Sequence, residues 1–134
     1  MCNARAENLN HVLALCSSTK VIAAYLYRWV DWWPIRETSV TGIWSAIEAL
    51  AGTSTQKDVR RLIAAAYLWT IWNHRNAKAF QGAWKKEKEI GEEIQFLAYL
   101  WITSRSKMGK SISWVIWVHN PVMAVSSCIS LAPR

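Results

Sequence analysis

A long run in the middle of the chain has helical character from end to end, and it constrains the fold more than any other feature. It extends from Gln56 to Phe80, and its centre, "LIAAAYLWTIW", is almost wholly apolar. Ser54 or Thr55 can cap its start. Because a helix that is apolar on every side is usually buried, we expect a central helix against which the rest of the chain packs.

Two shorter helices are predicted before this run. Ser17 and Ser18 can cap a helix through "TKVIAAYLYRWVDWW", which must stop before Pro34 because the residue before proline avoids the helical conformation. The stretch "VTGIWSAIEAL" predicts a second helix that ends at Gly52.

Two further helices are predicted after it. The segment "KKEKEIGEEIQFLAYLWITSRSK" carries an apolar stripe at helical spacing, formed by Ile90, Ile94, Leu97 and Trp101. Ser113 can cap a short helix through "SWVIWVHN" that ends before Pro121. Strand signals are weak throughout, so we expect an all-α single domain of four to five helices.

The size and composition suit one folded domain. The chain has 134 residues, of which 52% are hydrophobic, and ten tryptophans, most of which we expect in the core. We predict a short N-terminal remnant over 1–16, a helical domain over 17–120 and a loose tail over 121–134.

The compartment is expected to be intracellular, either nuclear or cytoplasmic. Three cysteines cannot form a complete disulfide framework, and the first residues lack the pattern of a secretory signal. The longest uncharged run, Ser111 to Pro133, contains several serines and Pro121, which makes it a poor membrane span. We expect no membrane association.

Two stretches resemble a known family. "LWTIWNHRNAKAF" resembles the "IWxxRNxxxF" signature in the C-terminal region of plant LINE-type, non-LTR retrotransposon reverse transcriptases. "FLAYLWITSRSK" followed by "SWVIWVHNP" resembles the segment that closes the same region. The resemblance covers about residues 2–121. It implies a piece of an RNA-directed DNA polymerase that lies downstream of the polymerase palm.

The start of the chain, "CNARAENLNHVLALC", resembles the zinc-binding module of that family. Cys2, His11 and Cys16 have the spacing of its last three ligands, and the first cysteine would precede Met1. A closed zinc site needs four ligands, so we expect an incomplete zinc site in a truncated knuckle. The alternative is that these residues belong to an ordinary helical turn.

Basic residues form clusters on a chain with a net charge of +7, which favours a polyanionic partner. The candidate nucleic-acid contacts are Lys57, Arg60, Arg61, Arg75, Arg105, Lys107 and Lys110. The last three have no acidic neighbour in the sequence and are the best candidates. The cluster of Lys85, Lys86 and Lys88 is interleaved with glutamates, which is typical of a solvated helix face.

Arg75 leaves two interpretations open. It can contact a phosphate while Trp69 or Trp72 stacks on a base. It can instead stack on a tryptophan and hold the last carbonyls of its helix. The second is favoured because Trp72 lies within an apolar run.

The function expected from these features is non-catalytic binding of template RNA, without sequence preference, beside an upstream reverse transcriptase domain. The chain has two aspartates, Asp31 and Asp58, in different predicted helices, and lacks an adjacent pair of the polymerase type. We therefore do not expect it to be an enzyme by itself. The alternative is an inactive helical packing or protein-interaction domain, a decayed retroelement remnant.

Overall fold

The computed structural model describes residues 17–81, 85–105 and 112–131, with side chains over 17–76, 85–104 and 112–126. These residues form helices and contain no strand, which confirms the all-α prediction. In chain order the helices are α1 Ser17–Trp29, α2 Val40–Glu48, α3 Ser54–Gln81, α4 Glu87–Arg105, α5 Trp114–His119 and α6 Pro121–Leu131.

The central helix α3 spans 28 residues and packs most extensively against α4. Its other neighbours are α2 and α6, while α1 packs on α4. The core at these contacts is mainly aliphatic, and its most deeply buried aliphatic members include Ile22, Leu26, Ile63, Ile71, Ile90 and Ile94. The position of the long helix agrees with its prediction.

The first helix is shorter than predicted, because the chain leaves α1 after Trp29. The Val30 amide still donates to the Leu26 carbonyl at 2.7 Å, and the Trp33 amide then closes a turn on the Val30 carbonyl at 3.1 Å. This turn directs Trp33 into the core, where the centroid of its ring lies 4.8 Å from the centroid of the Tyr67 ring. The packing of Trp33 against Tyr67 explains why the helix does not continue to Pro34.

The cap of α3 is Thr53 and not Ser54 or Thr55, so that prediction was wrong. The Thr53 hydroxyl accepts from the Gln56 amide at 3.2 Å, and the Gln56 side chain accepts from the Thr53 amide at 2.8 Å. This reciprocal pair is a capping box. The preceding Gly52 has φ +155°, and a side chain there would collide with the Gln56 amide group at 2.4 Å.

The segment after Pro121, expected to be loose, forms α6, a helix beyond the four to five predicted. Pro121 occupies the first helical position, where its missing N–H costs no hydrogen bond, and the Asn120 side chain accepts from the Met123 amide at 3.0 Å. Ala124 and Val125 are buried, and α6 packs on α3 and α5. The residues of α6 are uncharged and mostly apolar, so their sequence shows no clear helical period.

Helices α1 and α4 approach closely at Gly91. A Cβ on Gly91 would lie 2.3 Å from the ring of Tyr25, so only glycine fits beneath that ring. The Tyr25 hydroxyl donates to the Gln95 side chain at 2.9 Å. Burial, together with the charge of Glu92, raises the pKa of Tyr25, so the hydroxyl keeps the proton it donates.

This contact predicts a change of sign in a mutant cycle. In the native background, Gly91→Ala should destabilise the fold by about 1–3 kcal/mol, because the methyl group displaces the tyrosine ring. In a Tyr25→Ala background the same substitution should stabilise it by up to about 1 kcal/mol, through helix propensity. Urea unfolding of the four proteins measures both values, and destabilisation in both backgrounds would contradict the contact.

Candidate nucleic-acid interface

Two tryptophans are exposed on α3, although they lie in the apolar run predicted to be buried. Trp69 is 54% exposed and Trp72 is 38% exposed. Since residues three apart on a helix lie on the same face, the two indoles form one aromatic surface. The expectation that α3 is buried on every side was therefore wrong for this face, although Ile63, Tyr67 and Ile71 are buried as predicted.

Arg75 completes this surface. Its guanidinium carbon lies 5.6 Å from the centroid of the Trp72 ring, within the range of a cation–π interaction. Its Nη1 donates to the Asn76 side chain at 3.3 Å. We call Trp69, Trp72 and Arg75 the α3 surface.

The structure separates the two interpretations of Arg75 only in part. The stacking on a tryptophan is present. However, α3 continues to Gln81, so Arg75 lies well inside the helix and not among its last carbonyls. Trp72 is exposed, so burial gives no reason to prefer a purely structural role. Arg75 and Trp72 together can therefore present a cation and an aromatic face to a partner.

A charged cluster beside this surface joins α3 to α4. Glu93 of α4 accepts hydrogen bonds from His74, at 2.5 Å, and from Lys85. Burial of Glu93 opposes its ionisation, but the bonds from Lys85 and His74 outweigh that effect and hold its pKa below the ordinary value of 4.5. His74 precedes Arg75 in the chain, so the cluster fixes the orientation of α3 at the exposed surface.

The predicted basic residues in the first turns of α3, Lys57, Arg60 and Arg61, differ in their contacts. Arg61 pairs with Glu48 of α2 at 2.6 and 2.9 Å, and it also lies 3.6 Å from Asp58. The hydrogen bond with Arg61 lowers the pKa of Glu48. Arg60 donates to the Ala51 carbonyl at 2.9 Å, while Lys57 is exposed. Two of these three basic residues, Arg60 and Arg61, are therefore already engaged by partners within the fold.

The other predicted site residues lie outside what can be described. Arg105 ends α4, but its side chain, like Lys107 and Lys110, is outside the described set. The predicted zinc ligands Cys2, His11 and Cys16 also lie outside the described residues. Among the residues that are described, no group of three or more histidines, cysteines or carboxylates is placed to hold a metal ion. The zinc site stays a prediction.

A second exposed apolar surface, which the sequence did not reveal, lies where α4 meets α5. Trp114 of α5 is 39% exposed, and its ring packs against Phe96 at 5.9 Å and Tyr99 at 5.1 Å between centroids. Phe96 and Leu100 are themselves exposed and lie one turn apart on α4. We call Phe96, Leu100 and Trp114 the α4–α5 surface.

Comparison with known proteins does not extend this picture. The chain matches no protein-family model, no curated protein and no solved structure. The resemblance to retrotransposon reverse transcriptases therefore stays a prediction that rests on the residues quoted for it.

The described helices include none that is both long and apolar enough to cross a lipid bilayer.

The Glu93 cluster predicts a pH-dependent contribution to stability. Because its folded pKa is depressed, Glu93 stabilises the fold above pH 4.5, and this contribution is lost as the pH falls through the lower folded value. Glu93→Gln should therefore destabilise the protein near neutral pH, by at most about 1 kcal/mol for so accessible a cluster. The difference from the native protein should vanish in acid.

Urea unfolding between pH 2 and pH 7 tests this dependence, with Glu92→Gln as the matched control on the same helix. Glu92 is exposed, and its substitution should leave the unfolding free energy nearly unchanged across this range. An equal loss in the two variants, or a difference for Glu93→Gln that persists at pH 2, would show that the cluster does not act in this way.

Proposed function

We propose that this chain is a non-catalytic module that binds single-stranded RNA or DNA without sequence preference through the α3 surface. The observation that carries the proposal is the pair of exposed indoles with a guanidinium over one of them. Bases stack on aromatic side chains irrespective of their identity, and positive charge follows the phosphates. The net charge of +7 supports the same partner.

Each residue of the surface has a separate part in this proposal. Trp69, the more exposed indole, offers a face on which a base can stack. Arg75 covers Trp72 and can contact the phosphate between two stacked bases while remaining over the ring. The cluster around Glu93 holds α3 in place, so the surface is ordered before the partner arrives.

The resemblance to reverse transcriptases suggests where such a module would act. We propose that it helps an upstream reverse transcriptase domain hold its template RNA, in the nucleus or cytoplasm. In this role the module positions the template and does not catalyse. Asp31 lies in the turn after α1, and Asp58 pairs with Arg61 on α3, so neither aspartate belongs to the α3 surface.

Binding to a fluorescent single-stranded oligonucleotide tests the proposal. Trp69→Ala should weaken binding about tenfold or more, since a stacked base contributes about 1–3 kcal/mol. Arg75→Gln should weaken it less, and Arg36→Gln serves as the charge control. Trp114→Ala is the aromatic control, because Trp114 is an exposed indole outside the α3 surface. A loss with Trp114→Ala and none with Trp69→Ala would place the interface elsewhere.

The salt dependence of the same binding tests the charged contacts. Affinity should fall steeply as salt rises, with a slope of about −0.7 for each phosphate contact to a single strand. Neutralising Arg105, Lys107 and Lys110 together should make this slope shallower. The absence of measurable binding at low salt, with the fold intact, would overturn the proposed function.

The α4–α5 surface favours the alternative, a helical packing or protein-interaction domain. Phe96, Leu100 and Trp114 form an apolar surface, and Val115 beside them is 74% exposed. Surfaces of this kind commonly mark protein contacts. If the chain acts by this surface, it should self-associate with rising concentration and Leu100→Glu should abolish the association, as sedimentation velocity would show. A monomer at high concentration would count against this alternative.

A further inference from the structure

A cavity of about 560 Å³ lies beside the first turns of α3, and its lining includes no residue of the surfaces described above. Three separate segments line it: the end of α1 with the turn that follows, the first turns of α3, and the junction of α5 with α6. Its volume is in the range of small-molecule sites. The residues that matter for its chemistry are Arg28, Asp31, Trp32, Arg60, His119 and Val122.

The guanidinium of Arg60 is held at one corner of this cavity and only partly used. Its Nη1 donates to the carbonyls of Ala51, at 2.9 Å, and Leu50, at 3.4 Å. Its carbon lies 6.0 Å from the centroid of the Trp32 ring. The Nε is buried and has no hydrogen-bond partner among the described residues. Nε and Nη2 form the edge that binds carboxylate or phosphate with two parallel bonds.

Other donors line the same cavity. The side chains of Arg28, in the last turn of α1, and His119, in the last turn of α5, form no hydrogen bond or ion pair with any described residue. The Val122 amide lies in the first turn of the 11-residue α6, at the positive end of its dipole. Among the described residues of the lining, Asp31 is the one carboxylate, against two guanidinium groups.

We propose that this cavity binds a small phosphate monoester that carries an aromatic or apolar group. The phosphate lies on the free edge of Arg60, with Arg28 and His119 completing its coordination. The cavity is much larger than a phosphate alone, and the organic group occupies the apolar part lined by Trp29, Pro121 and Met123. This site is independent of the proposed nucleic-acid surface, because it shares none of its residues.

Isothermal titration with phenyl phosphate at constant ionic strength tests the site. We expect saturable binding with a dissociation constant on the order of 0.1–1 mM. Inorganic phosphate should bind more weakly, and phenol should not bind measurably. Arg28→Gln should lower the affinity at least fivefold, while Arg36→Gln, the matched substitution outside the cavity, should leave it unchanged.

Arg60→Lys tests the free edge directly, because lysine keeps the charge and a donor for the carbonyls but has no two-pronged edge. It should lower the affinity about tenfold with the unfolding temperature nearly unchanged. If this variant unfolds, the affinity of Arg28→Gln for phenyl phosphate tests the site in its place.

Three results would overturn the proposal: no saturation by phenyl phosphate at about 20 mM in the folded protein, equal binding of phenol and phenyl phosphate, or equal losses with Arg28→Gln and Arg36→Gln. Trp69→Ala should leave phenyl phosphate binding unchanged. Failure of this site and failure of the nucleic-acid surface are therefore separate outcomes.

Discussion

The buried indole of Trp117 holds together helices that would not be stable alone. Its Nε1 donates to the Gln95 carbonyl of α4 at 3.0 Å, and its own carbonyl accepts from the Trp29 indole of α1 at 3.1 Å. The ring also lies near those of Trp29 and Tyr99. Because α5 has only six residues, its place depends on these contacts and not on its own helical stability. Because α6 begins directly after α5, the position of α5 also sets the position of the start of α6, which forms one wall of the cavity.

The two candidate sites use α3 in different ways. Its first turns are fixed by the Thr53 cap and by Arg60, whose bonds to the segment after α2 leave one edge of the guanidinium unpaired. Its later turns are fixed against α4 by the contact of His74 with Glu93, while Trp69 remains exposed. Arg60 is thus held by two carbonyls and keeps one edge unpaired, whereas in the later turns His74 is held and Trp69 is exposed.

The order of the helices was predictable because it depends on local signals: prolines and glycines at the ends, caps at the starts and apolar spacing between them. The exposed face of α3 was harder to find, since aromatic residues occupy it. One sign of it is present in the sequence, because residues four apart lie on the same helix face. The face that contains Trp69 begins with the charged Arg61 and ends with the amide Asn73, which is not typical of a buried face. The cavity could not be predicted, since Arg28, Arg60 and His119 are distant in sequence and meet only in the folded chain.

We propose that single-stranded nucleic acid binds at the α3 surface. The most direct measurement is the NMR shift of each tryptophan indole N–H as a short oligonucleotide is added. We expect Trp69 and Trp72 to shift most, while the buried Trp33 and Trp117 remain unchanged. Shifts that are largest at Trp114, or equal at all indoles, would contradict it.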